Sequence, residues 1–213
     1  MAIDQKEKQR KLSAAETRRL QRFEQVSEEL TAKGYKKTEL TVGIVKANVF
    51  AILLALPVCA LGIYLFVKMN PGVLPVAVGM DSILMIIAYL VLIPVHELIH
   101  GITWSFFAKN GLKDIEFGFM KEYLTPYCTC AAPLTKYGHM TGTVMPLIIL
   151  GILPLVISWM TGSALLLWIG LLMTVSAGGD ILIILLLLKH KSSSALQLVY
   201  DHPTQAGSVV FER

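Results

Sequence analysis

The chain has 213 residues, 54% of them hydrophobic and only 16% charged, with a mean hydropathy of +0.62. That composition excludes an ordinary soluble domain and reads as a membrane protein. The formal net charge of +4 collects on segments that would face anionic lipid, and no nucleic-acid fold motif accompanies it, so no nucleic-acid partner is expected.

The chain opens on an arm, "MAIDQKEKQRKLSAAETRRLQRFEQVSEELTAKGY", that mixes both charge signs. Leu20, Phe23, Val26 or Ser27, and Leu30 recur at roughly helical intervals and Gly34 supplies a stop, which predicts a helix. Its apolar stripe is narrow, so a solvated surface helix is expected in preference to an interfacial or docking element.

Four apolar runs follow, near residues 47–67, 82–108, 143–160 and 163–188. Each is long enough for a helix to cross about 30 Å of hydrocarbon, which takes roughly 20 residues. More than forty largely polar residues precede the first run, unlike the layout of a cleavable signal peptide, so it is expected to remain as an anchor. Lys and Arg collect in the arm, in the loop after the second run (Lys109, Lys113, Lys121, Lys136) and after the fourth (Lys189, Lys191). By the positive-inside rule both termini face the cytoplasm.

Between the second and third runs, "IEFGF" and "YCTCA" are short β-prone pieces separated by a polar segment, predicting a small hairpin at the membrane surface. The tail "KHKSSSALQLVYDHPTQAGSVVFER" begins Ser-rich and ends in a few β-prone residues. The expected fold class is an all-α multi-pass membrane protein with four transmembrane helices and a β-hairpin-like insertion on the cytoplasmic side. Its parts are a cytoplasmic arm over 1–43, a membrane domain over 44–190 with the insertion at 109–142, and a cytoplasmic tail over 191–213. Cys59, Cys128 and Cys130 form no secreted disulfide framework.

The second run contains "HELIH", in which His96 and His100 stand one helical turn apart on nearly the same face. Two imidazoles at that spacing can bind one Zn²⁺, which lowers the pKa of a water toward roughly 7, and Glu97 is placed to accept its proton as general base. A charge near the centre of a span costs on the order of 3 kcal/mol on insertion scales, so these residues are functional candidates in preference to core histidines.

A catalytic zinc site takes three protein ligands and one open position. Asp180 is the sole acidic residue within the fourth run and lies nine positions before Lys189; His100 lies as far from Lys109. Both therefore sit roughly 13 Å below the cytoplasmic surface, which makes Asp180 the candidate third ligand. Zn²⁺, two neutral histidines and the Glu97 and Asp180 carboxylates sum to zero charge. Gly178 and Gly179 allow close approach of a helix or a peptide backbone, and Pro94 either aims the histidines or simply bends the helix. His139 and His202 have no partner at ligand spacing, and Cys128 and Cys130 form a CxC pair in a predicted strand.

"HELIHG", the FGF-containing segment, "SAGGDI" and the "DHP…G" tail resemble the small bacterial putative zincin peptidases, a family first classified as a domain of unknown function. More distantly the layout is similar to site-2 proteases, intramembrane metalloproteases in which an HExxH helix and a later-helix aspartate bind zinc. That resemblance implies His96, His100 and Asp180 as ligands, Glu97 as base, and a β-prone loop that presents substrate as an added strand. Here Ile181 follows the aspartate where site-2 proteases usually carry glycine.

The function expected is zinc-dependent hydrolysis of a peptide bond in a membrane protein or peptide, near the cytoplasmic face of the cell membrane. The partners expected are the bilayer and that substrate. A non-catalytic metal-binding scaffold or regulator, and a metal-ion transporter, are the alternatives.

Overall fold

Ser13 starts the first helix by a reciprocal cap: its hydroxyl accepts from the Glu16 amide, and its own amide donates to the Glu16 carboxylate at 2.9 Å. The computed structural model describes residues 13–77, 79–120 and 125–213. The start of the predicted arm and Lys121 of the basic loop lie outside these.

Helix α1 runs Ala14–Ala32 and ends before Gly34, whose φ of +83° suits glycine. Strand β1, Lys36–Val42, leads into α2, Ile44–Met69. Helix α3, Met80–Ser105, passes Pro94 without a break and so carries the whole HELIH segment. Strands β2, Ile115–Met120, and β3, Thr125–Cys130, pair antiparallel with Ile115 opposite Cys130 and Met120 opposite Thr125. The expected hairpin is present.

A two-residue strand β4, Leu134–Thr135, leads into α4, Lys136–Pro146; a π-helical segment over Leu147–Ile152 then joins α5, Leu153–Thr161. The helical rod thus starts seven residues before the predicted 143. Hydropathy missed its first turns because they are polar, yet Gly138, His139 and Gly142 are buried against protein. Helices α6, Ala164–Ser176, and α7, Gly178–Lys189, replace the predicted single fourth span by two pieces bent by 48°. Strands β5, Gln197–Asp201, and β6, Ala206–Glu212, close the chain.

Three helical stretches, 46–69, 80–105 and 136–161, are long and apolar enough to cross a membrane, and the bent pair makes a fourth if taken as one span. Their outer faces carry exposed apolar side chains such as Leu53, Leu56, Ile86, Leu90 and Val91. Such faces have no favourable contact with water.

The all-α expectation needs correction. A four-stranded antiparallel sheet in the order β1-β6-β5-β4 joins the two ends of the chain, with Lys36 opposite Glu212 and Val42 opposite Ala206. No local pattern announces a pairing between strands about 170 residues apart. The α1 stripe is not a solvated face either: Phe23 and Leu30 bury against Tyr200, Val209 and Phe211 of this sheet, with Leu20 and Val26 alongside. Each large apolar side chain so buried contributes about 1.5–3 kcal/mol. The helix also meets the hairpin, through an ion pair from Arg22 to Glu116 and through Arg19 on the Tyr127 ring.

Candidate metal centre

Three adjoining turns of α3 build one side of the site. His96, His100 and Trp104 follow at four-residue spacing on one helix face, and all three are buried. His100 Nδ1–H donates to the Gly142 carbonyl of α4 at 2.9 Å, which leaves its Nε2 lone pair facing inward. Trp104 stacks on the His100 ring at 5.0 Å between centroids and 13° between planes, and its indole N–H donates to the His139 carbonyl at 3.0 Å. Two glycines make this packing possible. A Cβ on Gly142 would lie 2.8 Å from Trp104 Cγ, and one on Gly101 would lie 2.9 Å from Ile115 of the hairpin.

Asp180 arrives from the other side, in the first turn of α7 directly after the bend. The two glycines before it act differently. A Cβ on Gly178 would lie 2.7 Å from Ala51 Cβ, so this glycine seats α7 on α2; Gly179 has open space around it and borders the cavity.

The His96, His100 and Asp180 ligand atoms lie within 4.8 Å of one another. His96 Nε2 stands 3.2 Å from His100 Nε2 and 3.1 Å from Asp180 Oδ2, and His100 Nε2 stands 3.4 Å from Asp180 Oδ1. Donors about 2.0–2.1 Å from one tetrahedral metal are about 3.3–3.4 Å apart; the two distances to Asp180 run to different carboxylate oxygens, and with one atom from each residue within 4.8 Å the cluster is close enough to hold a metal ion. His96 Nδ1 is buried with no hydrogen-bond partner among the described residues, so this ring is held from its Nε2 side alone.

A family model described as putative zincin peptidase matches residues 89–195. The chain belongs to this family. The zincin description implies a hydrolase and zinc, and the matched span contains the three clustered donors together with Glu97. Neither the curated proteins nor the solved structures searched gave a match.

In this zincin-family chain a cavity of about 480 Å³ opens beside the cluster. Glu97, His100 and Asp180 line it from the helices, Tyr127 and Cys128 from β3, Arg19 from α1, and the loop after Asp201 from the tail. The Cys128 backbone amide faces the Glu97 carboxylate. Glu97 therefore shares a cavity with His100 and Asp180, two of the three donors, without being a donor itself.

The remaining polar candidates are not among the three clustered donors, although Cys128 and His202 line the cavity. His139 is 2% exposed and donates from Nε2 to Asp201 Oδ1 at 2.8 Å, tying α4 to β5. His202 Nδ1 accepts the Gln205 amide at 3.0 Å, and burial pulls this histidine below its ordinary range. Cys128 and Cys130 are unpaired and pack with Trp104 and Leu134. Burial pushes the Cys128 thiol far above the usual range and that of Cys130 up to about 11, so both remain thiols near neutrality.

Sequence reasoning passed over Trp104, Gly142 and Asp201. Trp104 was within reach, because it continues the His96–His100 spacing by one more turn. The Gly142 carbonyl and the His139–Asp201 pair have no local signal: their partners are 42 and 62 residues away.

Proposed function

We propose that this chain is a membrane-embedded zinc metallopeptidase that cleaves a membrane protein or peptide near the cytoplasmic side. The observation that carries the reading is the gathering of the three donors within 4.8 Å of one another, with Glu97 lining the same cavity as His100 and Asp180. Family membership supports a hydrolase, and the apolar outer faces of α2 and α3 support a bilayer setting.

His96, His100 and Asp180 would hold the ion, which when bound supplies Lewis acidity toward a carbonyl and a more acidic water. Glu97 accepts the proton of the attacking water and returns it to the leaving amine. The Gly142 carbonyl keeps the His100 proton on Nδ1, so Nε2 stays available as a donor. Trp104 holds that ring in plane by stacking. The wall formed by β3 offers strand backbone along which an extended peptide can lie, beside Glu97. The hairpin, the sheet and α1 stand together at one end of the helices, which suits a site reached from one membrane face and termini on that face.

The test uses purified, zinc-loaded protein in detergent and a library of transmembrane peptides. Wild type and Glu97→Gln are expected to carry equal zinc, with cleavage at least 10²-fold slower in the variant, the usual scale for a lost general base of about 10²–10⁴. Equal cleavage by both proteins overturns the reading.

A further inference from the structure

Arg19 has no ion pair among the described residues, whereas Arg22 on the same helix pairs with Glu116. Its guanidinium carbon lies 4.1 Å from the centroid of the Tyr127 ring, and its Nε is buried without a hydrogen-bond partner. Leaving a buried polar group unsatisfied costs about 1–3 kcal/mol, and more when the group is charged. Arg19 also lines the cavity that contains Glu97, His100 and Asp180.

The mounting of this arginine is rigid. Tyr127 faces Gly118 across the β2–β3 ladder, and a side chain at Gly118 would overlap the phenol ring. The Ser13–Glu16 cap and the buried Phe23 and Leu30 fix α1 itself. The Tyr127 ring covers the guanidinium at its centre and Nε is buried, which leaves the terminal N–H donors to reach a ligand in the cavity.

We propose that Arg19 is a carboxylate-binding residue of this cavity, holding an acidic side chain or the terminal carboxylate of the peptide that lies along β3. The proposal rests on the peptidase reading above. A guanidinium fork matches the two oxygens of a carboxylate, and Arg19 as the one Lys or Arg among the described residues lining the cavity, with Glu16, Glu97, Asp180 and Asp201 on the same walls, favours a monoanion over a phosphate dianion. Tyr127 immediately precedes Cys128, whose amide faces Glu97. At about 3.4 Å per extended residue, the bound carboxylate falls within a few residues of the bond to be cleaved.

Binding is read by fluorescence anisotropy on full-length, zinc-loaded Glu97→Gln protein, with and without Arg19→Gln. The probes are short labelled peptides in matched sets, one exchanging Asp for Asn and one exchanging a free C-terminus for its amide. Proteins with Arg19 are expected to bind one carboxylate set at least tenfold more tightly than its neutral counterpart, and the set that responds identifies the source of the carboxylate. Arg19→Gln abolishes this preference and leaves the neutral peptides unchanged, while Arg19→Lys retains part of it. Thermal unfolding checks that the variants are folded, and the carboxylate preference of the Arg19 protein is readable even if they are not. Equal affinity for charged and neutral peptides, equal losses across both sets, or no binding of either overturns the proposal. Carboxylate-selective binding through Arg19 with no cleavage by wild type sinks the peptidase reading alone, whereas cleavage without carboxylate preference sinks only the role of Arg19.

Discussion

Gly142 does two things for the candidate metal site: its carbonyl accepts the His100 Nδ1 proton, and its missing side chain leaves room for the Trp104 ring lying on that histidine. Gly142→Ala is expected to displace Trp104, costing about 1–3 kcal/mol of stability as overpacking does. It should also weaken zinc binding about 10–100-fold, as loss of a ligand's orienting partner does. Zinc titration alongside thermal unfolding checks this, and unchanged affinity would remove the stack from the account of the site. Cys130 makes a separate residue-scale prediction. Burial raises its pKa from 9.0 to about 11, so above pH 9 the unfolded chain loses a proton that the folded chain keeps. This contribution to stability is complete below pH 9 and is lost as pH rises toward 11. Unfolding midpoints measured across that window should fall less steeply in Cys130→Ala than in wild type.

At the scale of elements, the sheet that joins the chain ends depends on backbone proximity at Gly207. Its φ is +135°, and a Cβ there would lie 2.8 Å from Thr41 Cα on β1. Gly207→Ala is expected to cost about 1–3 kcal/mol through strain and to loosen β1 from β6. Faster proteolysis of the N-terminal arm, with Phe23 no longer held against Phe211, is the signature to look for. The break between α6 and α7 has an equally local cause and a wider effect. Gly178 closes α7 onto Ala51, and the 48° change of direction brings Asp180 in the first turn of α7 to the two histidines. A straight span was the natural reading of "TVSAGGDILIILLLLKH", since hydropathy does not register a bend.

At the scale of the whole molecule, the His96, His100 and Asp180 cluster joins α3 to α7 across the bundle, and α4 braces it through Gly142. A ligand that binds only the folded state adds about 2.7 kcal/mol of stability at a hundred times its Kd. Chelation is therefore expected to lower the unfolding temperature, and added Zn²⁺ to restore it, in wild type; Asp180→Ala should show a much smaller response. An identical response in the two proteins would show that the stabilising ion sits elsewhere.

The sequence by itself determined what depends on local spacing and composition. The apolar helices, the hairpin strands and the one-turn separation of His96 and His100 follow from apolar runs of about 20 residues, a two-residue alternation and a four-residue spacing, all legible among sequence neighbours. Asp180 was reachable as well, because depth in an apolar run is a linear count. Only the tertiary structure decided how those pieces meet: the bend that turns Asp180 inward, the Gly142 carbonyl that orients His100, the sheet closed between the two chain ends, and Arg19 on the cavity wall. Each depends on groups brought together from distant parts of the chain by packing, a constraint that no local pattern encodes.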